Sequence, residues 1–128
     1  MSWSSGIVLQ DQGIIMHELA IAERLLVIVQ EEIVRHSLEN VLRIRVKVGK
    51  LTAVQPEALS FCFACLTEDT SLKGVALDIE ILAIKGYCET CKAYFELEDP
   101  VMICPKCQSW DVRLEGGREL YIDTIEIA

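Results

Sequence analysis

The chain has 128 residues, with 12 Lys and Arg against 20 Asp and Glu, a formal net charge of −8 and six cysteines. At 14.4 kDa and a mean hydropathy of +0.32, it suits one domain, or one domain carrying a small inserted module, with an apolar core of its own. The acidic balance repels phosphate and argues against nucleic acid as a partner; no apolar run approaches the roughly 20 residues of a membrane span, and a reduced, acidic chain is expected in the cytoplasm.

Met1 to Ile15 reads poorly as a structural element. It opens Ser2-Trp3-Ser4-Ser5-Gly6 and holds no Lys or Arg, so it lacks the basic leader region of a secretory signal. A true extension, a cloning remnant and an upstream start codon all fit it. The first clear helix is predicted over His17 to His36. Leu19, Ala22, Leu26, Val29 and Ile33 recur at spacings of three and four, with Ile21, Leu25 and Ile28 widening the stripe. Leu42, Ile44, Val46 and Val48 then alternate with Arg43, Arg45 and Lys47, a half-buried strand ending at Gly49. Its three cations read as a solvated outer face rather than an RNA platform, since no aromatic residues are interleaved.

A second helix is predicted over Gln55 to Thr67. Pro56 suits its first turn, Glu57 complements the N-terminal dipole, and Leu59, Phe63 and Leu66 share a face. Cys62 and Cys65 form a C-x-x-C here, and they read as buried free thiols acting as small hydrophobes. A second strand is expected from Val75 to Ile84. Short strands are expected over Tyr94 to Glu98 and Asp111 to Leu114, and a turn at Gly116-Gly117. The last strand covers Glu119 to Ile127. Its alternation slips between Ile122 and Ile125, which predicts a bulge near Asp123-Thr124.

Four cysteines dominate the chemistry. Cys88-Glu89-Thr90-Cys91 and Cys104-Pro105-Lys106-Cys107 are two C-x-x-C knuckles separated by twelve residues. That spacing can bring Cys88, Cys91, Cys104 and Cys107 to the corners of a tetrahedron, the geometry Zn(II) prefers. A closed four-cysteine shell leaves no open coordination position, so the site reads as structural and the chain as no enzyme. Two disulfides are the alternative, disfavoured by the compartment. The fold class is therefore α/β (α+β): two helices on a three-stranded sheet, with a zinc-ribbon-like four-cysteine module inserted between the second and third strands. The expected division is an extension over 1–15, an α/β domain over 16–85 and 117–128, and a zinc-binding module over 86–116.

Met16-His17-Glu18 opens the first helix. A His there is ordinarily a surface residue. With Met16 as the first residue, its amine, the following backbone nitrogens and the His17 imidazole form chelate rings, and nitrogen-rich square-planar coordination selects Ni(II) or Cu(II).

Taken together, these pieces resemble the HypA/HybF-type nickel chaperones of hydrogenase maturation. The resemblance spans Met16 to Ala128. It is carried by Met16-His17-Glu18-Leu19, Val46-Lys47-Val48-Gly49 with Leu51, Pro56-Glu57-Ala58-Leu59-Ser60-Phe61, the two knuckles with Gln108-Ser109, Gly116-Gly117-Arg118-Glu119-Leu120 and Ile125-Glu126-Ile127. It implies that His17 and its neighbouring backbone nitrogens, with Met16, bind Ni(II), that Glu18 tunes the site or docks a partner, and that the four cysteines hold Zn(II). It implies delivery of nickel to the large-subunit precursor of a [NiFe] hydrogenase with a HypB-type GTPase, and in some organisms service to urease maturation proteins. A homodimer stays open. Two features depart from the pattern: the family's Met-His-Glu normally begins the protein, whereas fifteen residues precede it here, and His17 and His36 are the chain's two histidines, so none stands beside the knuckles. A zinc-ribbon nucleic-acid or transcription module, marked by a wider basic face, and a thiol redox protein, marked by a low-pKa Cys62, are the competing readings.

Overall fold

The computed structural model describes residues 17–128 and the backbone of residues 2–4. Strand β1 (Ser2–Ser4) is followed by helix α1 (Glu18–His36), β2 (Val41–Gly49), a single 3-10 turn (Lys50–Thr52), α2 (Pro56–Thr67), β3 (Ala76–Leu82), β4 (Ile84–Cys88), β5 (Ala93–Leu97), β6 (Val112–Gly116) and β7 (Leu120–Ile127). Two sheets form: β1-β7-β2-β3 and β5-β4-β6. In the first, β2 runs parallel to β3 and antiparallel to β7. The three-strand core sheet and two helices match the expected class, and the cysteine-bearing sheet is spliced between β3 and β7.

One main core fills the space between the helices and the larger sheet. It joins Ile21, Ala22, Leu25, Ile28 and Val29 of α1, Leu59 and Phe63 of α2, Ile44, Val46 and Val48 of β2, and Leu120, Ile122 and Ile125 of β7. The stripe on α1 is rotated from the expected one. Leu19 is half exposed, and Glu32 is buried on the core side. Its two oxygens are paired there, with Arg35 Nη1 at 3.1 Å and His36 Nε2 at 3.0 Å. Helix α1 stops at Ser37, whose left-handed backbone (φ 51°) turns the chain so that Leu38 N–H reaches the Ile33 carbonyl at 3.0 Å.

The expected bulge in β7 is present. Arg45 pairs with Thr124 and Val46 with Ile122, which leaves Asp123 unpaired and keeps Ile122 and Ile125 both in the core. The outer face of β2 is solvated and neutralised across strands. Arg43 meets Asp78 at 3.2 Å, Arg45 meets Glu126 at 3.6 Å, and Lys47 meets Glu80 at 3.3 Å. Each of those cations thus has a carboxylate beside it on the neighbouring strand.

Three details differ from the sequence reading. The expected strand Val75 to Ile84 is two strands: β3 ends at Leu82, and after Ala83 the chain enters the second sheet as β4, its central strand. Residues 2–4 add a fourth strand to the larger sheet, Ser2 opposite Glu126 and Ser4 opposite Thr124. This occupies backbone groups on β7 that an edge strand would leave open. Cys62 packs against the core as expected, but Cys65 is exposed. The inward face of α2 is Leu59, Phe63 and Thr67, and Cys65 lies between two of its positions, turned to the solvent side.

The chain leaves and re-enters the larger sheet at one crossing. Gly49 N–H donates to the Glu119 carbonyl at 2.6 Å, and Leu51 N–H donates to Gly117 at 2.8 Å. A Cβ on Gly49 would lie 2.2 Å from the Gly117 carbonyl carbon, so the two backbones touch. Gly117 itself takes φ +127°, which a residue with a Cβ rarely adopts. Lys50 Nζ bonds Glu98 Oε2 at 2.8 Å beside this crossing and ties the 3-10 turn to the segment after β5. Gly49→Ala is expected to lower stability by about 1–3 kcal/mol through overpacking. Gly116→Ala, which meets the flexible end of Glu119 at 3.1 Å and Lys85 in ordinary contact at 3.6 Å, should stay within about 0.5 kcal/mol. Urea denaturation of both variants checks this; equal losses would mean that the crossing carries no special constraint.

Candidate metal centre

The centre grows from two similar knuckles. Cys88 closes β4, and Cys91 follows in the turn before β5. Cys104 and Cys107 lie in the loop before β6. In each knuckle the first cysteine is fully buried and the second exposed. The residue after each second cysteine, Lys92 (φ 57°) and Gln108 (φ 60°), turns left-handed. That reversal folds the loop back over the sulfur pair, and Gln108 N–H accordingly donates to the Cys104 carbonyl at 2.8 Å. The knuckles are laced together as well. Thr90 Oγ1 and Ser109 Oγ stand 2.8 Å apart, and Glu89 N–H donates to the Asp111 carbonyl at 2.9 Å.

The four sulfurs converge. Cys88 and Cys107 are 3.5 Å apart, Cys91 and Cys104 are 3.6 Å apart, and all four lie within 4.8 Å of one another. All six cysteines are free thiols. A tetrahedron with bonds of about 2.3 Å to zinc has edges of about 3.8 Å. The observed separations bracket that value, so the donor set fits a tetrahedral thiophilic ion with small adjustments. Among the described residues this is the cluster of three or more metal-ligating side chains.

Electrostatics divide the four thiols into two kinds. The backbone N–H groups of Cys107 and Lys106 hold Cys104 down to about 6. The Cys91 N–H lowers Cys88 in the same way. Desolvation among the sulfurs, with the Cys104 thiolate beside it, pushes Cys91 up to about 12. Against the pull of the Ser109 backbone N–H, desolvation and the Cys88 sulfur raise Cys107. An empty site therefore shares protons between thiolate and thiol, and a cation replaces those protons.

His17 is the N-cap of α1. Its backbone is extended, and its carbonyl accepts from Ile21 N–H at 3.0 Å. The imidazole makes no capping hydrogen bond and is exposed. Glu18 is half buried in the first turn, where its charge complements the helix dipole. Met16, the third residue expected at a nickel site, lies outside the described residues. His17 and Glu18 are thus adjacent on one helix end, separate in sequence and in element from the four cysteines.

Sequence reasoning missed the second sheet's other features. Phe95 lays its ring over Gly86, where a Cβ would meet it at 2.6 Å. With Cys88 and Cys104 it makes a small core, flanked by Leu97 and Val112. On the other side, the Tyr87 ring lies 4.7 Å from Tyr94, and Arg113 caps Tyr87 at 4.4 Å. The only sequence signal for the left-handed turns was their place directly after each second cysteine.

Residues 16–127 match the family model described as "Hydrogenase/urease nickel incorporation, metallochaperone, hypA". Proteins named hydrogenase maturation factor HypA share the sequence. That of Solidesulfovibrio magneticus is 37% identical over 116 residues, covering 88% of this chain and 99% of its own. That of Crocosphaera subtropica is 37% identical over 112 residues, covering 88% and 96%. The solution structure of the Ni metallochaperone HypA from Helicobacter pylori superposes with a TM-score of 0.61 at 23% identity, covering 88% of this chain and 97% of that one, a likeness of fold. The chain belongs to the HypA family of nickel-incorporation metallochaperones, not to a family of enzymes.

Proposed function

We propose that this chain carries Ni(II) as cargo on the segment Met16-His17-Glu18 and delivers it to the large-subunit precursor of a [NiFe] hydrogenase, while Cys88, Cys91, Cys104 and Cys107 hold a structural Zn(II). The carrying observation is the state of His17: an exposed imidazole with no capping bond, at the point where the family match begins. Cargo must arrive and leave, so its ligands need solvent access. A neutral imidazole with neighbouring backbone nitrogens offers the nitrogen-rich field that suits Ni(II). Glu18 either tunes that site or meets a partner. A HypB-type GTPase, and in some settings urease maturation proteins, are the partners this reading requires, in the cytoplasm. The described helices include none long and apolar enough to cross a membrane.

The proposed zinc follows from the second core. Two of its three buried residues are Cys88 and Cys104, so little apolar burial is left to hold the module compact without an ion. Bound there, zinc supplies a fixed crosslink between the knuckles rather than an open coordination position. The unit proposed to rest on it is 86–116, distinct from the α/β domain of 16–85 and 117–128 and from the extension at 1–15.

Three outcomes test these assignments. One zinc per chain is expected by elemental analysis. Cys91 and Cys107 hold their protons at neutral pH, so uptake near pH 7 should release at least about two protons and affinity should rise with pH; calorimetry in buffers of different ionisation enthalpy measures this. Cys104→Ala should unfold the module and spare the larger sheet, and protein purified under reduction without zinc would refute the site. Secondly, His17→Ala should abolish high-affinity nickel binding and leave zinc content and melting nearly unchanged, because an exposed imidazole contributes little stability. Wild-type nickel affinity in that variant would remove the functional core of the proposal. Thirdly, deleting residues 1–15 should raise nickel affinity, or leave it equal if the amine is not a ligand, since an amine binds without first shedding an amide proton. The main core begins at Ile21, so the truncated chain should stay folded by circular dichroism. Weaker nickel binding after truncation would show that residues before Met16 supply a ligand or hold His17 in place.

A further inference from the structure

Beside the four cysteines, on the second sheet, lies a groove that shares only Cys104 with the proposed zinc site. It has a volume of about 600 Å³ and is lined by Leu97, Val101, Ile103, Pro105 and Trp110, with buried Cys104 in its wall. That size falls within the ~300–1,000 Å³ typical of specific binding sites. Trp110 is 76% exposed and Val101 56% exposed. A tryptophan left in water next to an aliphatic trough is costly for a free surface and is the residue type most often at the centre of binding hot spots.

The charged side chains lining the groove are Glu98 and Asp99. Lys50 already neutralises Glu98 at 2.8 Å and holds its carboxyl below the usual range. Among the described residues Asp99 has no ion-pair partner. An occupant thus meets an apolar trough, an aromatic wall and one unspent carboxylate. A second copy of this chain brings a net charge of −8 to that carboxylate, which disfavours it as the occupant.

We propose that this groove docks a partner protein through a short segment in which aliphatic side chains fill the trough and a Lys or Arg beside them pairs with Asp99. The trough supplies the desolvated anchor, Trp110 shields it and stacks on the cation's stem, and Asp99 sets the polarity of the segment. The site does not depend on nickel.

The test uses the full chain, zinc-loaded, as bait for a displayed library of random 12-residue peptides, with selected peptides resynthesised. Trp3→Phe leaves Trp110 as the sole tryptophan, so its fluorescence reports binding directly. Selected peptides should be enriched in an aliphatic pair next to Lys or Arg. They should blue-shift Trp110, bind about tenfold or more weakly to Trp110→Ser, and lose affinity with Asp99→Lys and with added salt. Both positions are exposed, and unchanged zinc content and circular dichroism verify folding. Peptides that bind Trp110→Ser and the parent equally would overturn the proposal, as would enrichment in acidic sequences or no enrichment over the naive library. Concentration-dependent dimerisation abolished by Trp110→Ser would overturn it in favour of a second copy.

Discussion

Four sulfur atoms within 4.8 Å of one another are the constraint on which the inserted part of the molecule depends. Thiolates at that separation repel, and thiols there exclude neighbouring apolar groups without replacing them. The sheet that carries them buries Phe95 and the two inner cysteines and has little other core. Every device around the sulfurs acts to hold them near one another: the left-handed turns at Lys92 and Gln108, the hydroxyl bridge between Thr90 and Ser109, and the backbone N–H groups that lower Cys88 and Cys104. A divalent ion converts that repulsion into cohesion, which is why the proposed zinc is a folding element rather than a reagent.

The two proposed metal sites are opposites in chemistry and in access. The cysteine site is soft and anionic, has two of its ligands buried, and is closed by its own turns. The His17 end is nitrogen-donating and exposed, at the start of a helix whose middle turns are anchored in the main core. Stability and exchange make conflicting demands on one site, and the chain meets them with two. The connection between them is backbone. Four residues reverse the chain between α1, about 28 Å long, and β2, about 30 Å long. Gly49, at the end of β2, is where the inserted sheet crosses back at Gly117.

Much of this was legible in the sequence because it was periodic or punctuated. The α1 and α2 stripes, the alternation in β2, the slip that marks the β7 bulge at Asp123 and the two knuckles all leave local signals. The division between β3 and β4 did not stand out, although a trace exists. Inward positions run odd through Leu77 and Ile79, then even from Ile84 through Gly86 and Cys88. That change of parity is where the strand passes from one sheet to the other. Glu32 was illegible because its burial depends on Arg35 and His36 folding back within the last turn. The strand at Ser2–Ser4 was illegible because three residues carry no period, and its place follows from the open backbone of β7 rather than from its own side chains. The Gly49–Gly117 contact joins positions far apart in sequence, so only tertiary structure could pair them.

The distribution of charge explains which surfaces remain for partners. Although the chain is acidic overall, the larger sheet's outer face is locally balanced, since Arg43, Arg45 and Lys47 each meet carboxylates across strands. Arg113 is likewise shared between Glu89 and Glu115. Exposed pairs of this kind add little stability, but they withdraw those cations from any role in binding polyanions. Among the described residues the exposed apolar side chains include Trp110 and Val101 in the inserted module and Phe61 on α2. The groove beside Trp110, lined also by Val101, Ile103 and Asp99, gathers apolar side chains and a carboxylate in one concave surface.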